Sequence, residues 1–188
     1  YKKWEDIVGK GRILPAFPGA GGGIQEDVLN GALTPRLIQP TTFAEITGEK
    51  TARTTQLSKI FQRAHIPYQV VKDMHIWQLC HLAMVVPIAD AYYEAENPEK
   101  AGKEKKLMRK TARRLKRNFR LLKKDLGTLS PGKMNLFLAA PVSLLTIALS
   151  CVYESEFGNR FMYQHAVKAP DEMRQLHEQF YHYLKITE

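Results

Sequence analysis

The sequence predicts a mainly α protein with a small β region in its first fifty residues, and three observations lead there. Residues 73–93 (DMHIWQLCHLAMVVPIADAYY) carry apolar side chains on every face of a helix, the pattern of a helix buried through the middle of a helical domain. Residues 53–64 and 99–126 place apolar residues at intervals of three and four, as helices covered on one side do. Before residue 50 the signals are short β-like runs broken by Gly and Pro. The expected plan is a helical bundle over residues 50–188, behind residues 1–49, which read as the tail end of an α/β domain.

In order, Trp4–Gly9 reads as the last turns of a helix. Arg12–Phe17 reads as a strand running into the glycine-rich Pro18–Gly23. Further strands are expected at Leu33–Gln39 and Thr42–Thr47, with Pro40 between them. Leu57, Ile60, Phe61 and Ala64 form one face of a helix over Arg53–Ala64, and Tyr68–Val71 is β-like. Asp73 is a good N-cap for the buried helix, which spans about 30 Å at 1.5 Å per residue. Pro87 should kink it near Ala83. Over Glu99–Leu126 a seam of Met108, Ala112, Leu115, Phe119, Leu122 and Leu126 is flanked by Lys and Arg, and Gly127 ends the helix.

Ser130-Pro131 opens the next helix. Met134–Tyr153 holds no charged residue and is long enough for a membrane span. Pro141 and the polar Asn135, Ser143, Thr146 and Ser150 favour a core helix instead, so no membrane is expected. Pro170–Glu172 starts or kinks the last helix, whose Met173, Leu176, Phe180 and Tyr183 face the core.

At 188 residues and 44% hydrophobic content the chain can build a proper core. Its net charge of +9 is concentrated: Lys100–Lys124 holds thirteen of the twenty-eight basic residues and one acid, so the remainder is slightly acidic. That face is read as solvated or anion-binding. Nucleic acid is an unfavoured partner, because the segment's one aromatic, Phe119, lies in the apolar seam rather than among the cations. Cys80 and Cys151 sit in apolar stretches, which fits free thiols in a reducing cytoplasm. Tyr1 stands where a Met would begin a chain, so the sequence is read as a fragment.

Polar groups in so apolar a helix need partners, which singles out His81 and Asp90 as core hydrogen-bonders or as chemistry. The glycine run is either a surface turn or a cleft-lining loop. After Gly19-x-Gly21 the third glycine of a dinucleotide fingerprint would fall on Ile24, and no P-loop follows. His177 and His182 are five residues apart, one more than a zinc-binding HExxH allows, which turns the second ring roughly 140° away. No metal site is expected.

Three stretches together resemble the ketopantoate reductase (2-dehydropantoate 2-reductase) family: Ile13–Gly23 with Gln39-Pro40-Thr41-Thr42, Asp73–Ala91, and His165–Leu176. They follow the family's order and spacing over nearly the whole chain. The resemblance implies an NADPH-dependent oxidoreductase of pantothenate biosynthesis or a related oxo-acid reduction. Its N-terminal Rossmann domain holds the dinucleotide, and a C-terminal helical domain, like that of 6-phosphogluconate dehydrogenase, closes the substrate cleft and supports dimerisation. Residues 1–49 would be the last strands of the NADP-binding domain. NADP(H) would belong to the full-length parent, with none expected on residues 1–188 and no turnover from them alone.

Typical members carry W-x-K on the buried helix, the Lys acting as general acid, with an Asn four residues on. Here those positions are Leu79 and Ala83, which points to another small oxo acid or to lost chemistry. By the resemblance His81 becomes a candidate replacement acid, Glu172 a candidate ligand of the substrate hydroxyl, and Gly19, Gly21 and Gly22 candidates for the cofactor side. The competing reading is a non-catalytic interaction module, a homodimer built on the 99–126 helix.

Overall fold

The computed structural model describes residues 1–186, and its chain forms two compact units that divide between Trp77 and Gln78. The protein is mainly helical with a small sheet near its N-terminus, as expected.

In the first unit α1 (Lys2–Val8) precedes β1 (Ala16–Phe17), β2 (Ala20–Gln25), β3 (Val28–Leu33), β4 (Thr41–Phe43), α2 (Ala52–Arg63) and β5 (Tyr68–Val70). β4 lies between β1, antiparallel to it, and β5, parallel to it. Parallel neighbours need a crossover, and α2 supplies it. The β4–α2–β5 pairing also carries this unit past the 49/50 boundary read from composition. Phe43, Phe61 and Tyr68 form an aromatic triplet with centroids 5.7–6.2 Å apart, and Ala44, Met74 and Trp77 pack with Phe17 and Val71. To bring Phe61 inward α2 turns its face, burying Thr54 and leaving Ile60 53% exposed. Thr51 and Thr54 close a reciprocal capping box at its start.

Four expectations for the β region change. The strand expected at Thr42–Thr47 contracts to Thr41–Phe43, and the chain turns at Glu45–Gly48, where Gly48 N donates to the Glu45 carbonyl (3.0 Å). Gly19–Gly23 is not a loop, because Ala20–Gln25 pairs with Val28–Leu33 as a hairpin. Its turn, Glu26-Asp27, has both φ angles positive (47° and 62°), as a tight hairpin turn demands. Thr34–Gln39 turns instead of extending, held by the Thr34 hydroxyl donating to the Gln39 carbonyl. The Arg12–Phe17 strand shrinks to two residues, because Arg53 takes the carbonyls of Gly11 (2.8 Å) and Ile13 (3.1 Å). Arg53 is itself paired with the buried Glu45, which also accepts from the Thr51 hydroxyl (2.5 Å). Those bonds hold the Glu45 carboxyl below its ordinary range.

α3 (Met74–Glu94) is capped by Asp73, whose Oδ1 accepts from Ile76 N at 2.9 Å, and it belongs to the second unit from Gln78 on. There follow a 3-10 turn (Pro98–Lys103), α4 (Lys105–Leu126), a 3-10 turn (Gly132–Met134), α5 (Asn135–Ala139) and α6 (Val142–Tyr153). The chain then runs through α7 (Glu156–Gly158), a π turn (Asn159–Tyr163), α8 (Gln164–Lys168) and α9 (Pro170–Leu184). Cys80, Ala83, Val86, Ala89, Ala91 and Tyr92 of α3 are buried. Pro87 cannot donate to the Ala83 carbonyl, and the buried Asn118 amide of α4 lies 3.5 Å from that oxygen.

α4 buries more than the expected seam, adding Leu107, Thr111, Arg114 and Asn118, and ends on left-handed Gly127 (φ 71°). Its apolar face packs inside the unit on α5, α6 and α9, so it is not a free dimer seam. The uncharged run 134–153 bends by 117° at Ala140-Pro141. Lys116 reaches across from α4 to the carbonyls of Leu138 (2.8 Å) and Ala140, satisfying the exposed end of α5. No single helix among the described residues is long and apolar enough to cross a membrane. On α9, Tyr181 takes the buried position beside Met173 and Phe180, whereas Tyr183 is 37% exposed and donates to Asp125 (2.9 Å).

Phe119 is fully buried and stacks on Phe137 with centroids 4.9 Å apart. Phe119→Ala should cost about 3–5 kcal/mol, read as a lower urea midpoint for the second unit at unchanged slope.

Candidate functional site

The polar groups of α3 gather the candidate chemistry of the second unit. His81 lies one turn before the proline-weakened stretch, partly covered. Withdrawal from water, with a smaller contribution from His165 on α8, lowers its imidazole to about 4. It is therefore neutral at pH 7, and a neutral ring carries one N–H donor and one acceptor nitrogen. An imidazolium acid, the role expected of a replaced lysine, does not fit that state. A neutral N–H that polarises a carbonyl does.

Asp90, two turns further on, pairs with His177 of α9: Oδ1 lies 2.8 Å from Nδ1. Its Oδ2 is buried without a hydrogen-bond partner among the described residues. Burial pushes the Asp90 carboxyl up, while His177 and then Arg114 work against that rise. Tyr181 meets the His177 ring edge-on at 4.7 Å, and Arg117 stands over the Tyr181 ring at 5.7 Å. At the end of α3, Glu94 binds Arg114 (2.6 Å) and Lys110 (2.7 Å) of α4. The phenol of Tyr93 donates to the Ala166 carbonyl (2.6 Å), and that of Tyr153 to Ile88 (2.7 Å). Asp90 thus finds its partner on another helix rather than in His81. Sequence reading flagged Asp90, set His177 aside with the rejected zinc pair, and did not single out Glu94 or Arg114.

Glu172 sits in the first turn of α9, exposed, and makes no hydrogen bond or ion pair among the described residues. The structure does not bond it to His81. Cys80 accepts from Ser130 N (3.4 Å), and burial raises its thiol pKa, which makes it a packing residue rather than a nucleophile.

In the first unit Gly19 N donates to Thr41 Oγ1 (3.0 Å), and a Cβ there would lie 2.4 Å from Thr41 N. A Cβ on Gly22 would lie 2.3 Å from the Asn30 carbonyl, and Gly21 pairs with Ala32. Gly19 and Gly22 thus admit close backbones within the fold. Gly19, Gly21 and Gly22 lead into a hairpin and not into a helix N-terminus, which is the cradle a pyrophosphate takes. The residues present do not by themselves fit a dinucleotide. No cluster of three or more His, Cys, Asp or Glu that could hold a metal occurs among the described residues.

Comparison with protein-family models, with curated proteins and with solved structures finds no match.

His81 makes stability pH-dependent in a calculable direction. Its folded pKa (about 4) lies below the ordinary 6.5, so the unfolded chain binds the extra proton and stability falls as pH drops from 6.5 to 4. The loss should be on the order of 2–3 kcal/mol. Denaturation across that window should show a flatter pH profile for His81→Leu than for the wild type, and the His81 ring should titrate near pH 4 by NMR.

Proposed function

We propose that the chain serves the reduction of a small oxo acid in a ketopantoate-reductase-like protein, with NADPH as hydride source. One observation supports this most: two of the stretches that carry the resemblance converge inside the second unit. Within them His81 feels His165, and at their margins Tyr93, just past the first stretch, bonds Ala166 while Asp90 bonds His177, just past the second. In this reading His81 donates its neutral N–H to the substrate's carbonyl oxygen, polarising it without burying a cation. Asp90 fixes the His177 ring. Glu172, exposed at the start of α9, is the substrate-hydroxyl ligand. A cytoplasmic location belongs to the proposal, and the exposed free thiol of Cys151 suits a reducing compartment.

The test is a titration of the protein with 2-oxoisovalerate, followed through the His81 ring resonances. A saturable shift is expected in the wild type, and calorimetry should show affinity falling at least about tenfold in His81→Leu and holding in Glu172→Gln, since this probe carries no hydroxyl. A ring that does not respond, in a folded protein, overturns the reading.

A second reading is a homodimerisation module. Leu144, Ile147, Ala148, Cys151 and Val152 form one exposed, uncharged face of α6, and no charge lies between Met134 and Tyr153. Two copies of a chain of net charge +9 repel, and this face is where they could meet without opposing charges. Sedimentation equilibrium should then show a dimer that Ile147→Glu converts to monomer.

A further inference from the structure

The outer face of α4 encloses a shallow cleft of about 530 Å³ lined by Lys106, Arg109, Lys110, Arg113, Arg114 and Arg117. All six belong to one helix, at intervals of three and four, and the row spans about 16 Å at 1.5 Å per residue.

They fall into two kinds. Arg114 is buried and, with Lys110, is held by Glu94 at 2.6 and 2.7 Å, while Arg117 lies over Tyr181. These three are fixed by the fold. Lys106, Arg109 and Arg113 are exposed and make no ion pair among the described residues. Like charges one turn apart on a helix repel, and here Lys106 faces Lys110 while Arg113 stands between Arg109 and Arg117. Glu94 bonds Lys110 and Arg114 of this row. A face kept only for solubility needs neither anchored arginines nor so uniform a sign.

From this we infer that the α4 cleft binds a small ligand carrying two or more linked phosphates. The anchored cations pre-organise the floor and the free ones close on the anion from the rim, where guanidinium forks suit phosphate oxygens. Nucleic acid fits less well: the cationic row is short, and the one aromatic beside it, Tyr181, is buried and already covered by Arg117. The inference is independent of the reductase reading.

The probe is inorganic tripolyphosphate, followed by calorimetry with the whole chain. Saturable binding is expected, weakening as salt rises. The double variant Arg109→Gln/Arg113→Gln should bind at least about tenfold more weakly with an unchanged circular dichroism spectrum. Lys105→Gln/Lys124→Gln, which removes two exposed cations of the same helix outside the cleft, should bind like the wild type. Equal losses in the two double variants would reduce the effect to net charge and overturn the site. So would orthophosphate binding as tightly as tripolyphosphate, or a short single-stranded oligonucleotide binding more tightly than either.

Discussion

A helix with no polar face imposes its needs on everything around it. α3 can exist in water only if other elements cover it on all sides, and each polar group it carries must then be met from outside. Asn118 of α4 stands by the Ala83 carbonyl that Pro87 leaves without a donor, and Ser130 N reaches the Cys80 sulfur. Tyr153 of α6 bonds Ile88, and His177 of α9 bonds Asp90. Burying one large apolar side chain is worth about 1.5–3 kcal/mol, against about 1 kcal/mol net for a typical hydrogen bond. The apolar surface therefore drives collapse onto α3. The polar contacts, each satisfiable in few arrangements, select which helix lies where.

What the sequence disclosed and what it hid divide by range. The Asp73 cap, the span of α3, the amphipathic α4 and its Gly127 stop all depend on residues within a turn or two of one another. They could be read directly. β1 is short because Arg53, some forty positions away, takes the carbonyls a strand would have used. The glycine run pairs as a strand because Gly22 faces Gly31, where two bare backbones approach. Glycine's poor strand propensity pointed the other way. Asp90 stood out as a lone carboxylate on an apolar helix, but nothing local announced a partner 87 positions on.

The cations of α4 follow from the same demand. A helix that gives one face to the core must display its charge on the other, and Glu94 at the end of α3 meets that display where the two helices join. By binding Lys110 and Arg114 together, it turns two flexible side chains into part of a fixed surface. Phe119 and Leu122, one and two turns further along α4, do the opposite work of packing. One helix thus separates stability from charge by face, and substitutions on its two sides should act on different properties.

On the proposed reading, the two positions at which the resembled reductases carry a lysine and an asparagine are here part of the packed interior. Leu79 is 7% exposed and Ala83 is fully buried. An ammonium at residue 79 would have to shed its water with no carboxylate bonded nearby, and would tend to lose its proton. A helix this apolar can keep a polar group near those positions only if the group is uncharged at neutral pH. His81, held neutral by the same withdrawal from water, meets that condition. On the proposed reading, the environment that excludes a charged acid would also strengthen a neutral dipole aimed at the carbonyl, since such a dipole acts most strongly where water is absent.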